Sequence, residues 1–218
     1  MYKLLSYMLS NETPLFGETA PVVVSFDKKI SANDSCNSAT VSFSGHSGTH
    51  IDAPRHFYQD GRSISQYRID ELIFNHPQLI DCVKGDNELI DISDLESIGD
   101  CDLLLIRTGF YKFRSEKRYR INNPGISVAA AEWLRQAHPH IKAIGIDSIS
   151  ISGFQMREEG RNAHRMLLGD NIRLGAPVLL IEDMDLSFME GKLKKVYVFP
   201  LFIEGPDSLP CTIVGEFS

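Results

Sequence analysis

The sequence predicts an α/β or α+β fold, and three observations carry that reading. The second half alternates strand, helix, strand, helix, strand, the pattern of a partly parallel sheet covered by helices. The first half is rich in short strands and turns, which suggests an antiparallel portion. No repeat, low-complexity tract or Pro/Ser linker divides the chain, so a single domain over residues 1–218 is expected, long enough for one substantial core.

The expected strands are β-branched or apolar runs bounded by Gly, Pro or Asp. In order they are Val22 to Phe26, Ala39 to Phe43, Leu79 to Lys84, Leu103 to Arg107, Ile141 to Ile146, Val178 to Ile181, Val196 to Phe202 and Thr212 to Glu216. Helices are fewer. Ser93-Asp-Leu-Glu96 has the capping-box pattern and opens a short helix ending at Gly99. Ser127 caps a helix from Val128 to Ala137, stopped before Pro139. A third helix runs from Arg157 to Leu168 and ends at Gly169.

Composition narrows the classes. Hydrophobic residues make up 43% and charged residues 23%, the balance of an ordinary globular protein. Net charge is −7, from 22 basic and 29 acidic residues, without a basic stripe, so nucleic acid is not an expected partner. The one dense basic run, Arg114 to Arg120, reads as a solvated loop or helix face. No stretch approaches the ~18 apolar residues of a membrane span, so neither membrane insertion nor export is expected. Cys36, Cys82, Cys101 and Cys211 are far apart and form no CxxC, which argues against a zinc ribbon and a disulfide framework and fits a reducing cytoplasm. Cys82 and Cys101 sit in apolar runs and read as core residues.

The chemistry concentrates in His46-Ser-Gly-Thr-His50-Ile-Asp52-Ala-Pro-Arg-His56. In a strand, residues two apart share a face, so His46, His50 and Asp52 would point together while Val41, Phe43 and Ile51 face a core. A helix would also align His46 with His50, but Gly45, Gly48, Thr49 and Ile51 disfavour it and Pro54 bars its extension. A lone histidine reads as a surface or satisfied core residue. Two imidazoles and a carboxylate in phase are a metal ligand set, suited to Zn2+ or Mn2+. His56, beyond Pro54, lies near the ligands without being one of them.

Spaced H-x-G-T-H-x-D-x-P-x-H, the segment resembles the signature of the cyclase-like metal-dependent hydrolases, the family of bacterial kynurenine formamidase and isatin hydrolase. The resemblance implies a mixed β-barrel-like core with peripheral helices, of the swivelling β/β/α type. It also implies a second half of the site, with a His on a helix ending Leu-Leu-Gly and a Glu closing an apolar strand. Here His164-Arg-Met-Leu-Leu-Gly169 and Val178-Leu-Leu-Ile-Glu182 match, so His164 and Glu182 are carried across as ligands. The His-to-Glu gap is longer than the formamidases lead one to expect, and the surplus around Asp170 to Ala176 reads as a loop. Asp183 competes with Glu182, and either acid could be a plain strand-end residue. Members often carry an Asp where this chain has Ser152, a departure expected to alter local contacts. Asp147 is open between orienting a ligand and capping a loop. Phe16, in Thr13-Pro-Leu-Phe16-Gly, corresponds to an aromatic pocket wall or to ordinary core. His76, His138 and His140 match nothing and read as surface residues.

The implied activity is hydrolysis of an amide C–N bond, of arylformamide or cyclic amide type, with N-formylkynurenine the type substrate. One or two metal ions activate water, and Asp52 and Glu182 bridge if there are two. His56 shuttles the proton. A lyase or cyclase reaction on the same site, and a non-catalytic member that keeps the fold, are the alternatives. A small-molecule substrate and a homodimer are the expected partners.

Overall fold

Leucine-rich and β-branched runs favour strands whose side chains alternate between two covered faces. The computed structural model describes residues 1–17, 19–170, 173–187 and 191–218, which form thirteen strands and three α-helices. The strands are β1 (Tyr2–Leu4), β2 (Val23–Lys28), β3 (Ser38–Ser42), β4 (His50–Asp52), β5 (Ile73–Phe74), β6 (Pro77–Asp81) and β7 (Leu89–Ile90). They continue with β8 (Leu103–Arg107), β9 (Gly125–Ile126), β10 (Ala143–Ile146), β11 (Leu179–Glu182), β12 (Leu193–Pro200) and β13 (Ser208–Phe217). The helices are α1 (Lys117–Ile121), α2 (Val128–Ala137) and α3 (Arg157–Leu168), and none is long and apolar enough to cross a membrane.

One mixed sheet runs β5-β12-β13-β4-β11-β10-β8-β6, with β1 beside β13. β6, β8, β10 and β11 are parallel, and β4, β13, β12 and β5 are antiparallel to their neighbours. Only Asn75 and His76 separate β5 from β6, the strands at the two ends of that order. Both backbone N–H groups of this corner donate to Asp102, at 2.9 Å each. The sheet is therefore nearly closed on itself, the barrel-like α/β core that the family resemblance implied.

Alternation along the strands fills two cores. Leu103, Leu105, Ile51, Ile181, Val198 and Ile213 point into the barrel. Leu104, Ile106, Ile144 and Leu180 point outward and are covered by Ala130 and Leu134 of α2 and Ala163 and Leu167 of α3. Each such leucine or isoleucine, fully buried, contributes about 1.5–3 kcal/mol. The α2 helix starts where Ser127 accepts from the Ala130 N–H at 3.0 Å. In α3, the buried positions Gly160, Ala163, His164, Leu167 and Leu168 form one stripe toward the sheet, and His164 lies within it.

Arg135 of α2 ties this layer together. Its buried guanidinium donates to the carbonyls of Met166 and Gly169 at 2.7 and 2.6 Å, and to those of Gly175 and Ala176 at 2.5 and 3.1 Å. The Val178 N–H donates to the Leu167 carbonyl at 2.9 Å, joining the end of α3 to the start of β11. Of the expected loop 170–176, Asn171 and Ile172 lie outside the described residues.

Several expectations are corrected. The capping box starts two residues before Ser93: Asp91 caps a 3-10 turn over Ile92–Asp94, and the Asp94 carboxylate reaches back to the Asp91 N–H. Val41 does not face a core; β2 and β3 pair only with each other among the described residues, and Val41 is exposed. The run Arg114 to Arg120 is not wholly solvated, because Arg114 turns inward onto buried Asp183. Cys82 and Cys101 are buried, as expected.

Candidate metal centre

The signature segment enters the sheet through a turn. Gly48 holds φ +63, a left-handed conformation that favours glycine, and a Cβ there would press on the tip of the Leu9 side chain. This turn corrects the expectation that His46 shares a strand face with His50 and Asp52. Strand β4 begins at His50, and His46 comes to the same place from the turn, its ring 5.1 Å from that of His50.

Within β4 the alternation holds. Ile51 enters the barrel, while His50 and Asp52 face outward under α3. Glu182 closes β11 opposite His50 and shares that face. Asp183 does not continue the alternation. Its φ of +53 turns the chain out of the strand, and its carboxylate accepts from Arg114 at 2.8 and 2.7 Å and from the Tyr119 hydroxyl at 2.6 Å. Glu182, and not Asp183, therefore faces the histidines.

Backbone carbonyls orient both buried imidazoles. His50 Nδ1 donates to the Gly48 carbonyl at 2.8 Å, and His164 Nδ1 to the Gly160 carbonyl at 2.9 Å. A carbonyl only accepts, so Nδ1 carries the proton of the neutral ring, and Nε2 is the atom left to meet a cation or a second proton. Those Nε2 atoms point at carboxylates. His50 Nε2 is 3.4 Å from both Asp52 and Glu182, and His164 Nε2 is 3.4 Å from Glu182 and 3.9 Å from Asp52. His50 Nε2 and both Asp52 oxygens are buried without a hydrogen-bond partner among the described residues. Lone pairs facing lone pairs in a buried site require a cation or protons between them.

The ionisation pattern agrees. Burial opposes charge on every member, yet Asp52 is held well below the usual carboxylate range by His46 and His50. Glu182 falls to about 2 through its contacts with His164 and His50. Burial also opposes protonation of His46, but Asp52 and Asp207 outweigh it and raise it to about 11; His50 and His164 are raised too. The donor set fits a hard-to-borderline dication, and His50, Asp52 and Glu182 place one ligand atom each within 4.8 Å of one another. His46, Asp52 and His56 do so as well.

Sequence reasoning missed Asp207. One of its oxygens accepts from His56 Nδ1 at 2.7 Å and lies 3.0 Å from His46 Nε2. The Ala53 N–H donates to the Asp207 carbonyl at 2.9 Å, anchoring the acid beside the signature. The only hint was an acid in a Gly-Pro-Asp turn. Arg161 was also missed; its signal was the spacing of three residues before His164 on one helix face. Asp147 is resolved as a loop cap, accepting from the Thr108 and Gly109 N–H groups at 2.7 and 2.8 Å. Ser152, at the position of the missing acid, lies 3.1 Å from His164 Nδ1. His76 and His140 are exposed, and His138 packs on Trp133 at 4.9 Å.

These groups floor a cavity of about 260 Å³, walled by Phe16, Phe57 and Ile149 and with Arg161 among its lining residues. A family model described as a putative cyclase matches residues 4–152. An uncharacterized protein of Haemophilus influenzae is 35% identical over 107 residues, covering 46% of this chain and 75% of its own. A kynurenine formamidase of Erythrobacter litoralis is 28% identical over 178 residues, covering 82% of this chain and 76% of its own. Isatin hydrolase A from Labrenzia aggregata, solved with benzyl benzoate, superposes with a TM-score of 0.82 at 20% identity, over 100% of this chain and 93% of its own.

Proposed function

The chain belongs to the putative cyclase family, and from that premise we propose that it is a metal-dependent hydrolase of amide C–N bonds, of arylformamide or cyclic amide type. One observation carries the reading: two oriented imidazoles and two ionised carboxylates converge with N···O distances of 3.4 to 3.9 Å on the floor of an apolar-walled cavity, and His50 Nε2 and both Asp52 oxygens are buried there without a hydrogen-bond partner among the described residues. Kynurenine formamidase and isatin hydrolase relatives support the reaction class.

In this reading His46, His50, Asp52, His164 and Glu182 would hold one or two ions of Zn2+ or Mn2+. When bound, the metal would supply Lewis acidity toward the amide carbonyl and toward water. The chain's own groups do the rest. Phe16 and Phe57 wall off bulk water and pack an aryl group. His56 donates its Nδ1–H to Asp207, which leaves the Nε2 lone pair to take a proton from the attacking water and pass it to the departing nitrogen. Water adds to the carbonyl carbon, the C–N bond breaks, and a carboxylic acid and an amine leave.

The whole chain acts as one domain, and it works as a homodimer in the cytoplasm. The hairpin β2–β3 supports the dimer: it exposes Val24, Phe26 and Val41, and a lone two-stranded hairpin is marginal in water. Four free cysteines suit a reducing compartment. The test is metal-loaded protein on N-formylkynurenine, isatin and simple aryl formamides, with products identified by mass. Ring-opened or deformylated product is expected from at least one; intact substrates throughout, at full metal content, sink the hydrolase reading.

A further inference from the structure

Helix α3 carries Arg157, Arg161 and Arg165 at intervals of four, so they form one stripe along the helix. The outer two are engaged with aromatic rings. Arg157 lies 4.3 Å from the centre of the Phe154 ring, which stands edge-on to Phe16. Arg165 lies 5.4 Å from that of Phe57, and it also donates to Asn162. Arg161 stands between them, lines the cavity, and has no hydrogen bond, ion pair or ring contact among the described residues. It precedes His164 by three residues, a rise of about 4.5 Å along the helix.

Arg62, Arg68, Arg107, Arg114 and Arg118 all meet carboxylates, whereas Arg161, like Arg55 and Arg120, is exposed and without a partner among the described residues; of those three, Arg161 is the one that lines this cavity. We propose that Arg161 is a specificity-determining residue: it seats a carboxylate carried by the substrate at a position remote from the scissile amide. The inference rests on the hydrolase reading for the identity of the reacting group. The cavity supplies the rest of the selection. Aromatic walls take an aryl ring, the floor holds the reacting end, and the guanidinium offers two parallel donors, matching a carboxylate's two oxygens. Arg161 thus selects, among the aryl amides of the proposed reaction, those with a carboxylate on the side arm, as N-formylkynurenine has, over those without.

The test has two arms. In the first, kcat/KM is measured for a carboxylate-bearing aryl formamide and its methyl ester. The native protein is expected to prefer the acid by about tenfold or more, as a charge-assisted hydrogen bond implies. Arg161→Met should bring the ratio toward one, and Arg161→Lys should restore part of it. In the second arm, calorimetry measures binding of 4-phenylbutyrate and 4-phenylbutyramide to metal-loaded protein, with no turnover needed. Arg161→Met should weaken the acid about tenfold at unchanged metal content. Equal affinity of native protein and variant for 4-phenylbutyrate overturns the proposal, and so does a substrate ratio indifferent to Arg161. Failure of all amide hydrolysis with Arg161-dependent binding intact would sink the hydrolase reading and leave the carboxylate seat standing.

Discussion

Glu182 and Asp183 are neighbours in the chain, both buried and both acidic, yet their surroundings have opposite chemistry. Asp183 is answered by protein: Arg114 and the Tyr119 hydroxyl supply donors to both its oxygens. Burial pushes its carboxyl above the ordinary value, with Arg114 and Tyr119 acting the other way. Glu182 has some protein donors, Ser150 Oγ and the Ile151 N–H at 2.9 and 2.8 Å, but these serve only one oxygen. Its other oxygen lies 3.4 Å from the Nε2 of His50, which has no hydrogen-bond partner among the described residues, and Asp52 meets imidazoles, His46 Nδ1 at 3.1 Å and His50 Nε2 at 3.4 Å. A buried charge balanced within the chain serves the fold. A buried charge left to be balanced from outside marks where a cation acts.

The comparison breaks first at Glu182. Glu182→Gln keeps an oxygen but removes charge that a dication needs, so metal content should fall by at least one ion and activity should vanish with it. The protein without metal should stay as stable as before or gain stability. Metal analysis beside a melting curve checks both, and full metal content in this variant would place the acid outside the donor set.

His56 sharpens the same line from the other side, because its Nδ1 already has Asp207. His56→Ala should retain metal and lose rate by about 10^2–10^4-fold, the contribution of a lost acid–base group. Equal loss of metal would transfer His56 to the ligands, where its geometry with His46 and Asp52 also admits it.

Arg114→Met tests the satisfied cluster. It strands Asp183 and should cost about 3–5 kcal/mol. For a chain of this size that lowers the melting temperature by roughly 6–20 °C. Metal stoichiometry of the folded fraction should be unchanged. A variant that melts normally but loses metal would mean that the two clusters are one system.

Much of this arrangement was legible in the residues, and its gaps have physical causes. Strand period placed His50 and Asp52 together correctly, because β4 is a strand there. It misplaced the route of His46, because a glycine at positive φ ends the periodicity that the argument needed. Glu182 was readable as an acid closing an apolar run. The orientation of Asp183 was not, since a left-handed residue after the strand sends its side chain elsewhere. Arg114 was hidden in a basic run, where composition cannot say which member turns inward. Asp207 is joined to His56 across 151 positions by folding alone, beyond the reach of any local spacing rule. Barrel closure was equally invisible to pattern, because it depends on β5 and β6 meeting around a two-residue corner pinned by Asp102.

Arg135 has a consequence for how such a site can diversify. One guanidinium grips both feet of the segment between Gly169 and Ala176, and the Leu167–Val178 hydrogen bond closes its base. His164 stands before that clamp and Glu182 after it. Length and composition beyond the clamp are thereby uncoupled from the His164–Glu182 spacing. Residues can be inserted or removed there as beads on a pinned thread, reshaping the nearby surface while the donor atoms keep their mutual distances.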